Sequence, residues 1–80
     1  MTKFAKVLKA KREERGLTQK ELATAIGLTS SQYISNCERG VCPMSPMLVK
    51  KCAQVLRVRK EVLISAALED YAARYREVMG

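Results

Sequence analysis

In the stretch Thr29 to Gly40, TSSQYISNCERG, polar side chains recur at helical spacing. With Ser30 capping a helix here, Ser31, Gln32 and Asn36 share its outer face, because positions four apart stack on a helix, while Ile34 and Cys37 turn inward. The chemistry of such a face is hydrogen bonding. The amide of Gln32 or Asn36 carries a donor beside an acceptor, and in a DNA major groove it matches N7 and N6–H of adenine in a bidentate pair. An A/T-containing half-site is therefore expected. A second reading of Gln32 stays open: it is spaced from Thr29 as the far member of a capping box, which would turn its amide toward the backbone. Residues suited to phosphate oxygens surround the face, with Ser30, Tyr33, Ser35 and Arg39 beside it and Lys50 and Lys51 further along. For Tyr33, packing against a neighbouring helix stands level with a phosphate bond. Nothing comparable is present for catalysis. The chain has no His and no Trp, its acids are scattered and no Gly-rich loop follows a strand, so no nucleophile, base, metal ligand set or cofactor cradle is assigned.

The elements that must position this face are short helices. Thr18 with Glu21 makes a Thr-x-x-Glu capping box, so one helix is expected from Gln19, with Leu22, Ala23 and Ile26 on its buried side and Gly27 as its stop. Leu28 then plugs the core. Thr29 or Ser30 caps the next helix, which runs through Ile34 and Cys37 to about Arg39 and is closed by Gly40. Gln19, at the start of the earlier helix, can offer a phosphate both its side chain and free backbone N–H groups. Upstream, Thr2 caps a first helix from about Lys3 to Arg15, with Phe4, Val7 and Leu8 as its buried stripe. Downstream, the loop VCPMSP precedes a fourth helix from Pro46, capped by Ser45, to about Leu56. A fifth begins at Arg59 or Lys60 and reaches Val78. No strand-like period occurs. The fold expected is all-α, a compact five-helix bundle over residues 1–80, with helices two and three as a helix-turn-helix and a long C-terminal helix.

Taken together, Arg12-x-x-x-Gly16-Leu17-Thr18-Gln19-x-x-Leu22-Ala23, Ile34-Ser35 and Glu38-Arg39-Gly40 resemble the Cro/repressor-type helix-turn-helix family of bacterial and phage transcriptional regulators, over about Phe4 to Leu63. The interval from Gly27 to Gly40 is one residue longer than the commonest family spacing, and the turn at Thr29, Ser30 and Ser31 is where the extra residue is expected. The resemblance implies that Ser31, Gln32 and Asn36 are base-reading positions, that Gln19 grips a phosphate, and that Arg12 pairs with Glu38. It also implies a bundle of the phage-repressor DNA-binding type. Many relatives carry Lys or Arg just after the glycine matching Gly40. This chain has Val41, Cys42, Pro43 and Met44, so loop N–H groups or Lys50 and Lys51 would supply that contact.

Composition agrees with a polyanion partner. Lys and Arg number 15 against 8 Asp and Glu. The excess is uneven: residues 1–60 hold 13 basic and 4 acidic side chains, whereas 61–80 hold 2 and 4. No apolar run reaches the roughly 18 residues of a membrane span, and the N-terminus lacks a signal peptide's pattern, so a cytoplasmic, nucleoid-associated protein is expected. Cys37, Cys42 and Cys52 make no Cys-x-x-Cys pair. Cys37 and Cys52 fit as small core residues; Cys42 lies in a loop, where thiol-based redox sensing stays open although no pattern specific to it is visible. In the fifth helix Ile64, Ala67, Leu68, Tyr71, Tyr75, Val78 and Met79 recur at steps of three and four. This stripe is expected to join two copies, since a unit reading a few base pairs gains specificity from two half-sites of a palindromic operator. The alternatives are a tail folded onto its own domain, or an antitoxin or adaptor holding a partner protein through that helix.

Overall fold

A computed structural model describes residues 2–80, and among them the chain forms five α-helices and no strand. They are α1 (Lys3–Glu14), α2 (Gln19–Ala25), α3 (Gln32–Glu38), α4 (Pro46–Leu56) and α5 (Lys60–Met79). The caps act where the local sequence places them. Thr18 Oγ1 accepts the Glu21 N–H at 3.0 Å while Glu21 Oε1 accepts the Thr18 N–H at 2.8 Å, closing the capping box. Thr2 and Ser45 accept the N–H groups of Ala5 and Leu48 in the same way. Gly27 and Gly40 follow α2 and α3 at φ +89° and +74°, a region where a Cβ would be strained. At the end of α4 the same left-handed position is held by Arg57, at φ 57°, without a glycine to signal it.

Each helix sends one large aliphatic side chain fully into the common core: Leu8, Leu22, Ile34, Leu56 and Leu63. Burial of each stabilises the fold by about 1.5 to 3 kcal/mol, so the core is one shared contact and not a chain of pairs. Cys37, Cys52, Ala23 and Ala53 fill the gaps between these five. Val7 and Leu28 are only half-buried and pack on the rim of this cluster.

The long α5 lies along α1 and α4 through Leu63 and Ala66, which are buried. Asp70 completes the junction. Its carboxylate accepts the backbone N–H groups of Lys3 at 2.7 Å and Phe4 at 2.8 Å, two of the donors that the first turn of α1 leaves free. A negative group there also suits the positive end of the α1 dipole. Beyond Asp70 nearly every residue of α5 is exposed, and the molecule is drawn out to 40 Å against 24 and 21 Å in its other directions.

Candidate nucleic-acid interface

The start of α3 falls one residue later than the expected helix, at Gln32. Ser31 already has helical angles, and the hydroxyl that reaches into the helix is that of Ser30, which accepts the Gln32 N–H at 3.4 Å. Gln32 does not turn back to Thr29. Its Nε2 donates to Asn36 Oδ1 at 2.9 Å, across one turn of the outer face, so the capping-box reading of Gln32 is corrected. Arg39 Nη2 donates to the same Asn36 oxygen. Gln32, Asn36 and Arg39 thereby form one hydrogen-bonded row on a solvent-facing strip about two turns long. The Asn36 side-chain oxygen is engaged twice, which leaves its amide N–H groups and Gln32 Oε1 without a side-chain partner in this row. A donor beside an acceptor is what the major-groove edge of adenine requires. Ser31 sits half-buried at the head of this strip.

Behind the strip, α3 is fastened by a buried charge pair. Arg12 Nε donates to Glu38 Oε2 at 2.6 Å and Arg12 Nη2 to Glu38 Oε1 at 3.0 Å, with both side chains almost wholly removed from solvent. The third arm, Nη1, donates to the Leu17 carbonyl at 2.7 Å. This guanidinium ties α1 to the end of α3 and to the loop before α2. The hydrogen bond to Glu38 holds the Arg12 pKa above its ordinary value, against the opposing effect of burial. Gln19 joins the same group: its Nε2 donates to Glu38 Oε1 at 3.1 Å. One amide hydrogen of Gln19 is therefore turned inward, and the other remains for an outside acceptor.

The Tyr33 ring is half-buried against the core, and its hydroxyl oxygen accepts the Ser45 N–H at 3.0 Å, linking α3 to the cap of α4. Packing and bonding within the protein thus hold Tyr33, whose hydroxyl also bonds toward the Cys37 thiol and opposes the rise of its pKa. Ser35 is half-buried, while Ser30, Arg39, Lys50 and Lys51 are exposed. Sequence reasoning left out Asp70, and it placed Cys42 in a loop without foreseeing that its Sγ lies 3.9 Å from that of Cys37. Ile64, Leu68, Tyr71, Tyr75, Val78 and Met79 are all exposed on α5, with Val78 at 83%. Tyr71 and Tyr75 rings lie 5.4 Å apart. Among the described residues no cluster of metal-binding side chains occurs and no helix is long and apolar enough to cross a membrane.

Comparison with known proteins fits this geometry. A helix-turn-helix family model matches residues 8–63. The HTH-type transcriptional repressor RghR of Bacillus subtilis (strain 168) is 39% identical over 69 residues, covering 84% of this chain; the chain spans about half the length of that curated relative, 50% of it. Among solved structures, the restriction-modification controller protein C.AhdI of Aeromonas hydrophila is similar at 32% identity and TM-score 0.72, over 78% of this chain and 92% of that one. The clp gene regulator ClgR of Corynebacterium glutamicum is similar at 29% identity and TM-score 0.72, over 96% and 82%. A chain of the SinR–SinI complex is similar at 26% identity and TM-score 0.72, over 95% and 78%. With the family model covering most of the residues and the five helices arranged as in these regulators, the chain belongs to the Cro/repressor-type helix-turn-helix family, a family of transcriptional regulators and not of enzymes.

Proposed function

We propose that this protein is a sequence-specific double-stranded DNA-binding regulator, a repressor that places α3 in the major groove and acts as a homodimer on a palindromic operator. The observation that carries the reading is the outer strip of α3. Gln32, Asn36 and Arg39 are bonded into one row facing solvent, while Arg12 and Glu38 fix the helix from behind. Base readout needs such a preset pattern, because each side chain ordered on binding costs entropy. Ser31, Gln32 and Asn36 contact base edges in this account. Gln19, Ser30, Tyr33, Ser35, Arg39, Lys50 and Lys51 contact phosphates, Gln19 through the amide hydrogen not held by Glu38. The net charge of +7 supplies the nonspecific attraction. A cytoplasmic location on the nucleoid follows from the same role.

The dimer rests on the apolar stripe of α5 from Ile64 to Met79, which the fold leaves uncovered. Sedimentation of the wild type and of a Leu68→Glu/Tyr75→Glu variant, each with titrations of operator DNA at two salt concentrations, tests it. The variant is expected to sediment as a monomer, to keep salt-sensitive nonspecific affinity and to lose most of its specific affinity. A variant that remains dimeric removes α5 from the interface. A second reading, an antitoxin or adaptor that holds another protein, is favoured by the same exposed stripe and by the likeness to a chain solved as the SinR–SinI complex. It predicts that no motif is selected from random DNA.

A further inference from the structure

A cavity of about 170 Å³ opens beside the C-terminal end of α3, between the α3–α4 loop, the start of α1 and the exposed half of α5. Its wall is mostly apolar, from Phe4, Val41, Met44 and Tyr71, and it contains two thiols, Cys37 and Cys42, whose sulfurs lie 3.9 Å apart. The third cysteine is elsewhere. Cys52 is fully buried, its Sγ directed to Met44 Sδ at 3.7 Å, and it does not line the cavity.

We propose that Cys37 and Cys42 are a reversible dithiol–disulfide site, oxidised by hydroperoxides admitted through this cavity, and that closing the disulfide alters how α3 and its following loop meet DNA. The second half of the proposal rests on the DNA-binding reading above. The two thiols divide the chemistry by exposure. Cys42 is half-buried on a loop and meets the oxidant; Cys37 is 1% exposed, and its thiol is faced by Cys42 and by the Tyr33 hydroxyl. Burial, helped by the contact with Cys42, pushes the Cys37 thiol up to about 12, so it stays protonated and does not compete for the first step. In that step the Cys42 thiolate attacks one oxygen of the hydroperoxide, the O–O bond breaks, and an alcohol (water, from hydrogen peroxide) leaves with the second oxygen. Cys42 becomes a sulfenic acid. The Cys37 thiol, held against Cys42, then gives up its proton to the departing hydroxide as its sulfur attacks the Cys42 sulfur: the S–S bond forms, the S–O bond breaks, and water leaves. In all, two thiols lose two electrons and two protons to one hydroperoxide.

Geometry couples this site to the reading face. A disulfide needs its sulfurs at about 2.05 Å, so the present gap must shorten by nearly 2 Å. The movement falls on the loop, since Cys37 lies between Asn36 of the outer strip and Glu38 of the buried pair. The loop in turn is bonded to α3, with the Val41 N–H donating to the Asn36 carbonyl at 2.9 Å. Drawing Cys42 toward Cys37 pulls on that bond and moves the loop N–H groups that follow the end of α3.

The test treats the full chain with stoichiometric hydrogen peroxide or cumene hydroperoxide at neutral pH and reads intact mass and peptide linkage. The expected product has lost two hydrogens, joins the peptides of Cys37 and Cys42, and reverts with a dithiol reductant. Cys42→Ser abolishes it and Cys52→Ala does not. Reduced and oxidised protein are then titrated with operator DNA, with an expected loss of affinity of about fivefold or more on oxidation. A sulfinic acid left on Cys42, a bond between chains, a bond to Cys52, or no change in mass overturns the site. A Cys37–Cys42 disulfide with unchanged DNA affinity overturns the coupling. Reduced protein that binds no DNA overturns the DNA-binding reading itself, and mass alone then decides the dithiol site.

Discussion

Replacing Arg12 by alanine removes three hydrogen bonds and leaves the Glu38 carboxylate, 3% exposed, with Gln19 Nε2 as its remaining partner. Breaking a buried pair from one side costs about 3 to 5 kcal/mol, because a charge stays inside without its counter-charge. Stability of about 0.05 to 0.15 kcal/mol per residue gives a domain of 80 residues roughly 4 to 12 kcal/mol in all. The loss is therefore a large share of the total. At 4 to 8 °C per kcal/mol for a chain of this size, the melting temperature of Arg12→Ala should fall by at least about 12 °C. The double variant Arg12→Ala/Glu38→Gln removes the stranded charge while keeping an acceptor for Gln19, and should regain part of the loss. Thermal unfolding followed by circular dichroism reads both, and the fraction still folded should select the same base pairs as wild type. A melting temperature within about 2 °C of wild type, below the effect of a single kcal/mol, would refute the structural role of the pair. So would a double variant less stable than the single one.

Other outcomes follow from the same contacts. Gln32→Ala and Asn36→Ala should each weaken specific binding by about 1 to 3 kcal/mol and relax preference at particular base pairs, read by competition with single-base operator variants. Asp70→Ala strips the charged acceptor from the Lys3 and Phe4 N–H groups and should cost about 1.5 to 3 kcal/mol in urea unfolding, so a chain ended after Glu69 should be less stable than one ended after Tyr71. Burial raises the Cys37 and Cys52 thiols to about 12 and about 11, from an ordinary 9.0, so the folded state holds their protons more tightly than the unfolded one. Their contribution to stability is complete below pH 9 and is lost as pH rises through 11 and 12. Urea midpoints at rising alkaline pH should fall more steeply for wild type than for Cys52→Ala, measured relative to each protein at neutral pH.

The helices were legible because their ends are marked locally. Thr18 with Glu21, and Ser45 before Pro46, need only neighbouring residues to act, and both act as their spacing predicts. α4 ends without such a mark, since Arg57 takes a left-handed angle normally signalled by glycine. The inner face of α5 was missed for a different reason. Periodicity picks out the stripe from Ile64 to Met79, but Leu63, Ala66 and Asp70 are the residues turned to the bundle, and two apolar residues and an acid make a weak pattern. Within the site, the outer strip of α3 was readable from spacing, whereas its internal bonds were not. That Gln32 donates to Asn36, that Gln19 turns to Glu38 and that Tyr33 accepts from Ser45 depend on rotamers and on how helices cross. The longest-range contact, Asp70 to the start of α1 across 67 positions, leaves no trace in local pattern.

Selection of bound sequences from a random double-stranded DNA library tests the central claim most directly. Wild-type protein should enrich an inverted repeat with A/T pairs in each half-site, the half-site centres about one helical turn or a multiple of it apart. Selection with Asn36→Ala should keep the repeat and its spacing while losing information at one position of each half-site. A library from which folded wild-type protein enriches no motif would contradict the account, as would an Asn36→Ala motif identical to that of wild type.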